Sequence, residues 1–142
     1  MRISDVLRSK SSALVTLTPE ATVRDLVDLL AEHNIGAVIV GNDANPVAGI
    51  VSERDVVRGL VSGATILESL VADIMTTTVK TAAPSDSVDD LMRIMTEHRI
   101  RHVPVVVDGQ LKGIVSIGDV VKSRIGELEF ERDQLESYVH TQ

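Results

Sequence analysis

The sequence repeats itself, and this repeat limits the possible fold more than any other feature. Residues 113–119 read Gly-Ile-Val-Ser-Ile-Gly-Asp, and residues 49–55 read Gly-Ile-Val-Ser-Glu-Arg-Asp. Upstream, residues 32–40 align with residues 97–105, a spacing of 65 that falls to 64 at the repeated phrase. One residue has been lost in the turn between two strands, where chain length costs little. The chain is therefore predicted to fold as two related halves.

Each half is predicted to follow the order strand, helix, strand, strand, helix. This gives a mixed α+β fold of two pseudo-symmetric β-α-β-β-α repeats packed as one module, with a C-terminal helix. Apolar residues recur at helical spacing over 23–33 and 88–98, and short valine-rich runs near 38–40 and 103–107 indicate strands. The first strand of the second half is expected near Val79 and Lys80. The predicted boundaries are 1–64 for repeat 1, 65–125 for repeat 2 and 126–142 for an acidic helical tail.

Each half is too small to bury a good core alone. The two halves are therefore expected to pack face to face around one shared core.

The repeated phrase marks the passage from a buried strand to a helix. Ser116 and Asp119 are three residues apart, as in a capping box, where a hydroxyl caps the first turn and an acid reaches back. The same helix start is also suited to an anion, because free N–H groups and the positive end of the dipole point outward. A serine hydroxyl and a closely approaching Gly118 suit a phosphate, and an acid suits paired ribose hydroxyls. Both interpretations remain open at this point.

The charge and the aromatic content argue against a nucleic-acid-binding protein. The net charge is −7, and residues 127–142 contribute five acids and one base. The rest of the chain has 13 basic against 16 acidic residues, without the excess of positive charge that nucleic acids attract. Phe130 and Tyr138, the two aromatic residues, both lie in the tail. A base ring bound by the body would therefore lie between aliphatic side chains, without aromatic stacking.

Several other classes of function are disfavoured. There is no cysteine, and the four histidines do not have the spacing of metal ligands. We identify neither a nucleophile paired with a base nor a carboxylate cluster for Mg²⁺, so no catalytic residue and no enzyme activity are predicted. No window is apolar enough to cross a membrane, and the first residues lack a secretory apolar region. We expect a cytoplasmic protein.

Two copies of Gly-Ile-Val-Ser-x-x-Asp, each after an Ile-x-x-Val strand and a helix led by proline, resemble a pair of CBS domains. This is the cystathionine β-synthase type of domain, paired as a Bateman module. The resemblance covers residues 1–125 and leaves the tail outside. It implies a stand-alone, non-catalytic regulatory module with two clefts between the repeats. Such clefts commonly bind adenosine nucleotides as regulatory ligands, here AMP, ADP, ATP or a relative such as NAD, with no catalytic cofactor.

The resemblance also implies roles for individual residues. The acid of each phrase would hold ribose hydroxyls, and the serine would contact ribose and phosphate. The segments near residues 10–12 and 76–78 would frame the adenine, an isoleucine would form the aliphatic wall, and basic residues would face phosphate. The candidate nucleotide-binding residues are Lys10, Ser12, Ile35, Ser52, Arg54, Asp55, Thr76, Thr77, Ile100, Arg101, His102, Ser116, Gly118 and Asp119.

Other interpretations stay open beside this one. The basic residues at 99–102 could be no more than the exposed edge of a strand. The tail has apolar residues at the alternating four-three spacing of a coiled-coil seam, which fits either a solvated helix or a helix that binds a protein partner. A homodimer is predicted. The alternative function is a ligand-free dimeric scaffold that binds a partner through its tail.

Overall fold

The computed structural model describes residues 1–10 and 14–140. Within these ranges the chain forms helices and short strands in an order that repeats once. Two 3₁₀ turns, Ala64–Glu68 and Val71–Asp73, join the halves. The elements are α1 (Ile3–Ser9), β1 (Thr16–Leu17), α2 (Val23–His33), β2 (Ala37–Val40), β3 (Gly49–Ser52), α3 (Glu53–Leu60), α4 (Val88–His98), β4 (His102–Val107), β5 (Gln110–Ser116) and α5 (Ile117–His140).

The strands of the two halves pair in the same way. In the first half, β2 lies between β1, to which it is parallel, and β3, to which it is antiparallel. In the second half, β4 pairs with β5 in antiparallel fashion, and Ala82 makes a parallel bridge to Val105. The mixed fold of two related halves with a C-terminal helix is confirmed.

The predicted strand near Val79 and Lys80 is wrong, because pairing in this stretch is reduced to the bridge at Ala82. Pro104, which stands where the first half has Ile39, shortens the pairing by one residue relative to β1. Ala82 donates to the Pro104 carbonyl and accepts from the Val106 N–H. Proline has no N–H to extend the ladder back towards Lys80.

Helices α2 and α4 begin and end where the apolar spacing predicts. Thr22 and Ser87 accept hydrogen bonds from the N–H groups of Asp25 and Asp90, so both starts are capped by a hydroxyl. Both helices end in the left-handed conformation, at Asn34 with φ 51° and at Arg99 with φ 53°. The chain therefore turns at equivalent points towards β2 and β4.

The expectation of one shared core is wrong. The buried apolar residues form two clusters, one around each sheet. The first contains Leu26 and Val51, and the second contains Leu91 and Val115. Each sheet is covered by its own pair of helices, so each half has a separate apolar interior.

Each core is completed by a segment that precedes the other repeat in the chain. Helix α1 buries Ile3 and Val6 in the second core, and the Ile3 N–H donates to the Asp86 carbonyl. The linker buries Val71 in the first core, and the Val71 N–H donates to the Ala21 carbonyl. Ile3 and Val71 thus occupy equivalent places. The two halves exchange their leading segments.

This exchange explains the glycine that opens each repeated phrase. A Cβ on Gly49 would lie 2.6 Å from the Met75 Sδ and 2.9 Å from the Thr76 carbonyl oxygen. A Cβ on Gly113 would lie 2.8 Å from the Leu7 Cδ2. Leu7 and Met75 are therefore equivalent residues of the two exchanged segments, each lying across a glycine of the opposite repeat.

We expect Gly49→Ala to lower the free energy of unfolding by about 1–3 kcal/mol, because backbone must shift to admit the methyl group. Gly113→Ala should cost less, since its obstacle is the end of the flexible Leu7 side chain. Denaturant unfolding of both variants measures the difference. Equal losses at the two positions would contradict this account of the contacts.

Candidate functional site

Helices α3 and α5 both begin with the predicted capping box. The Asp55 Oδ2 accepts from the Ser52 N–H at 2.8 Å, and the Ser52 Oγ accepts from the Asp55 N–H at 3.4 Å. At the equivalent positions of α5, Asp119 Oδ2 accepts from the Ser116 N–H at 2.9 Å, and Ser116 Oγ accepts from the Asp119 N–H at 3.1 Å. These hydrogen bonds therefore hold each acid in a fixed position at the N-terminus of a helix.

The first of two clefts contains Asp55, and we call it the Asp55 cleft. It has a volume of about 270 Å³ and lies between the start of α3, the segment 76–80 and the turn that enters β4. Its charged side chains come from all three segments and include more basic than acidic residues. They are Glu53, Arg54, Asp55, Arg58, Lys80, Arg99 and Arg101.

The second cleft contains Asp119, and we call it the Asp119 cleft. It has a volume of about 400 Å³ and lies between the start of α5, the end of α1 and the turn that enters β2. Its described lining includes Lys10, Ile35, Lys112 and Ser116. Gly36, Ala37 and His102 line both clefts, and a Cβ on Gly36 would lie 3.5 Å from the His102 ring, so the entries to β2 and β4 meet there.

The structure brings together most of the residues predicted from the sequence. The Asp55 cleft collects Ser52, Arg54, Asp55, Thr76, Ile100, Arg101 and His102. The Asp119 cleft collects Lys10, Ile35, His102, Ser116 and Asp119. Thr77 and Gly118 are not in the described lining of either cleft, and Ser12 lies outside the described residues.

Each cleft draws its residues from both repeats. Arg101 and Ile100 belong to the second repeat, yet they line the cleft of Asp55 from the first. Ile35 belongs to the first repeat and lines the cleft of Asp119. Each cleft therefore combines the helix start of one repeat with the strand entry of the other.

Sequence reasoning missed several lining residues, among them Glu53, Arg58 and Lys80 in the Asp55 cleft and Lys112 in the Asp119 cleft. One signal was available for Arg58. It follows Arg54 by four residues, so both side chains lie on the same face of α3.

Lys10 and Asp119 form an ion pair inside the Asp119 cleft. The Lys10 Nζ donates to Asp119 Oδ2 at 2.8 Å and to the Ile114 carbonyl at 2.7 Å. Burial raises the pKa of Asp119, but the hydrogen bonds from Lys10 and from the Ser116 N–H outweigh it and bring the pKa below its usual 3.8. Asp119 is therefore ionised and neutralised by its own chain.

His102 lies between the clefts with a half-buried ring. Burial lowers its pKa below the usual 6.5, and the positive charges of Lys10 and Arg101 act in the same direction. The carboxylates of Glu53 and Asp119 oppose the shift without cancelling it. The imidazole is therefore neutral at pH 7 and is charged only under more acidic conditions than a free histidine.

This depressed pKa predicts a loss of stability in weak acid. As the pH falls through 6.5, the unfolded chain takes up a proton at His102 while the folded protein does not, so the free energy of unfolding decreases. His102→Gln should remove this part of the pH dependence. Melting temperatures of both proteins between pH 8 and pH 5 test it, and parallel curves would refute the assignment.

The described residues contain no group of three or more His, Cys, Asp or Glu side chains arranged to hold a metal ion. None of the helices found there has the length and apolarity needed to span a bilayer.

Comparison with known proteins gives a consistent result. The family model for the CBS domain matches residues 3–62 and 71–126. The mitochondrial CBS domain-containing protein CBSX3 of Arabidopsis thaliana is 38% identical over 96% of this chain and 71% of its own.

Solved structures agree. The CBS-domain protein ATU1752 of Agrobacterium tumefaciens superposes with a TM-score of 0.83 at 41% identity, over 87% of this chain and 99% of that one. The crystal structure of CBSX2 in complex with AMP has a TM-score of 0.73 at 27% identity, over 88% of this chain and 96% of that one. The chain belongs to the CBS-domain family and contains two copies of the domain.

Proposed function

We propose that this protein is a non-catalytic regulatory module that binds an adenosine nucleotide between its two CBS repeats. The observation that carries the proposal is the construction of the clefts. Each cleft lies between the capped N-terminus of a helix in one repeat and the turn that enters a strand of the other repeat. A bound ligand would therefore contact both halves. The AMP complex of CBSX2, a protein of the same fold, supports the ligand class.

The chemistry of the cleft fits such a ligand. The adenine would lie against the aliphatic side chain of Ile100 and the segment at Thr76, and the ribose hydroxyls would donate to a carboxylate. The arginines that line the cleft would bind the phosphate groups. Binding would change how firmly the two halves are held together, which is how the module would report the nucleotide.

The side chains of the clefts support a regulatory and not a catalytic role. Within the described chain, the two serine hydroxyls are engaged in helix caps and neither is hydrogen-bonded to His102. A serine nucleophile needs such a base within reach. The cytoplasmic location stays a prediction.

Isothermal titration calorimetry with ATP, ADP, AMP and adenosine tests the proposal, and 2′,3′-dideoxyadenosine triphosphate is the control ligand. We expect saturable binding of the ribonucleotides and weak binding of the dideoxy compound, which lacks the hydroxyls that the acid would hold. Absence of measurable heat and of any thermal stabilisation across this panel would overturn the proposed function.

A homodimer is part of the proposal, and exposed apolar residues on two helices support it. Val57 on α3 is 63% exposed, and Val61, which directly follows this helix, is 88% exposed. On α5, Ile125 and Leu128 are about half exposed, and Leu135 and Val139 are 66% exposed. The same α5 residues favour the second candidate function, a ligand-free dimeric scaffold that binds a partner through this helix.

Truncation after Gly126 separates these roles of the tail. If the apolar stripe of α5 packs on another helix, the truncated protein should melt at a lower temperature or dissociate at higher concentrations, while nucleotide affinity is retained. Sedimentation equilibrium and thermal melting measure both effects. An unchanged mass and an unchanged melt would show that residues 127–142 form a solvated helix.

A further inference from the structure

We propose that the two clefts are unequal, and that the protein binds one phosphorylated nucleotide per chain, in the Asp55 cleft. In the Asp119 cleft, the Lys10 ammonium group forms an ion pair with the Asp119 carboxylate, the group that would otherwise bind the ribose. This inference rests on the proposed function and specifies which of the two clefts performs it.

The position of Lys10 is the first argument. Its ammonium group donates both to Asp119 and to the Ile114 carbonyl, and the two side chains are only 23% and 24% exposed. Lys10 directly follows α1, which is anchored in the second core through Ile3 and Val6. A ribose bound at Asp119 would have to share the carboxylate with this partly buried ammonium group or displace it, and displacement would leave a charge in need of a new partner.

Among the described residues, no lysine or arginine of the Asp55 cleft is paired with Asp55. Because Leu7 and Met75 are equivalent, Lys10 corresponds to Thr78, three residues further along, and Thr78 lines the Asp55 cleft. In the described part of the chain, the Asp55 side chain forms no ion pair and accepts hydrogen bonds from Ser52 alone. The Asp55 carboxylate is therefore not neutralised by an ion pair, whereas the Asp119 carboxylate is paired with Lys10.

The distribution of charge is the second, independent argument. None of the five basic residues that line the Asp55 cleft forms an ion pair within the described ranges. Elsewhere in the chain, six of the other nine Lys and Arg side chains are paired with an acid. The lysines that line the Asp119 cleft are Lys10 and Lys112, and the charge of Lys10 is neutralised by Asp119.

Unpaired positive charge gathered in one cleft of an acidic protein attracts a polyanion. Arginines from α3 and from the entry to β4 face the same space, so two segments can grip a phosphate chain from opposite sides. The favoured ligand class is therefore an adenosine di- or triphosphate, with the nucleoside itself bound more weakly.

The stoichiometry of ATP and adenosine binding tests this inference in the full-length protein. The parent should bind one ATP or one adenosine per chain, and Lys10→Thr, which copies the residue of the other cleft, should bind a second adenosine. Lys10→Met is a second variant that also removes the charge but keeps the length of the side chain. Thermal melting verifies that each variant is folded before it is titrated.

Two further variants identify the occupied cleft. Arg58→Ala should weaken ATP binding about tenfold and change adenosine binding far less, since one charge-assisted contact to phosphate is lost. Lys112→Ala, the matched change in the Asp119 cleft, should leave ATP affinity unchanged. Equal losses for ATP and adenosine would refute the role of Arg58.

The outcomes separate this inference from the proposed function. Two equivalent sites in the parent would overturn the inequality of the clefts, and a single adenosine site in both Lys10 variants would overturn the role of Lys10. Either result would leave nucleotide binding in place. Failure of every protein to bind any nucleotide would overturn the proposed function itself, and the inference with it.

Discussion

Replacing Asp55 with alanine is expected to weaken ATP binding by about ten- to a hundred-fold. The carboxylate would accept hydrogen bonds from the ribose hydroxyls, and losing bonds to a charged group costs about 1.5–3 kcal/mol. The same carboxylate accepts from the Ser52 N–H in the cap of α3, so the folded protein should lose about 1 kcal/mol or less. Affinity should therefore change much more than stability.

Asp25→Ala is the matched control for this experiment. Asp25 occupies the same capping position in α2, where it accepts from the Thr22 N–H, and it lies outside both clefts. Both variants should lose similar stability in denaturant titrations, while calorimetry should show reduced affinity for Asp55→Ala alone. Unchanged ATP affinity in Asp55→Ala would show that Asp55 caps a helix and does not bind the ligand.

The largest effect on stability is expected from the paired core residues Leu26 and Leu91. They occupy equivalent positions in the two cores and are at most 1% exposed. Truncation of a buried leucine to alanine removes apolar contacts and leaves a cavity, at a cost of about 2–5 kcal/mol. Each change alone would remove a large part of the roughly 5–15 kcal/mol that stabilises a typical domain.

The two variants also test whether the halves unfold together. Because each core includes a segment that leads into the other repeat, Leu26→Ala and Leu91→Ala should each shift one cooperative denaturant transition. Leu128→Ala, on the exposed face of α5, should change stability by about 0.5 kcal/mol or less if that face is solvated. Two separated transitions in either core variant would show that the halves unfold independently.

Local features of the fold were predictable from the sequence because they depend on near neighbours in the chain. The bounds of α2 and α4 follow from apolar spacing and from the capping residues Thr22 and Ser87. The capping boxes at Asp55 and Asp119 follow from a three-residue spacing. The shortened pairing before Ala82 could have been anticipated from Pro104, since proline cannot donate to a neighbouring strand.

Features that depend on how the repeats meet were not predictable in this way. No spacing within the chain shows that Arg101 faces the cleft of Asp55 or that Ile35 faces the cleft of Asp119. The pairing of Lys10 with Asp119 joins residues more than a hundred positions apart. The composition of each cleft is set by tertiary packing, and the repeat pattern alone suggests the wrong partners.

The exchange of leading segments has a consequence for how a protein of this kind could arise. A single repeat cut from this chain would lack the piece that fills its core, and its own leading segment would have no core to enter. Two separate copies could satisfy each other only by trading these segments as a swapped pair. Joining the copies end to end makes that trade intramolecular, which raises the effective concentration of each segment. The pair of repeats, and not the single repeat, is therefore the smallest part of this chain that contains two complete cores.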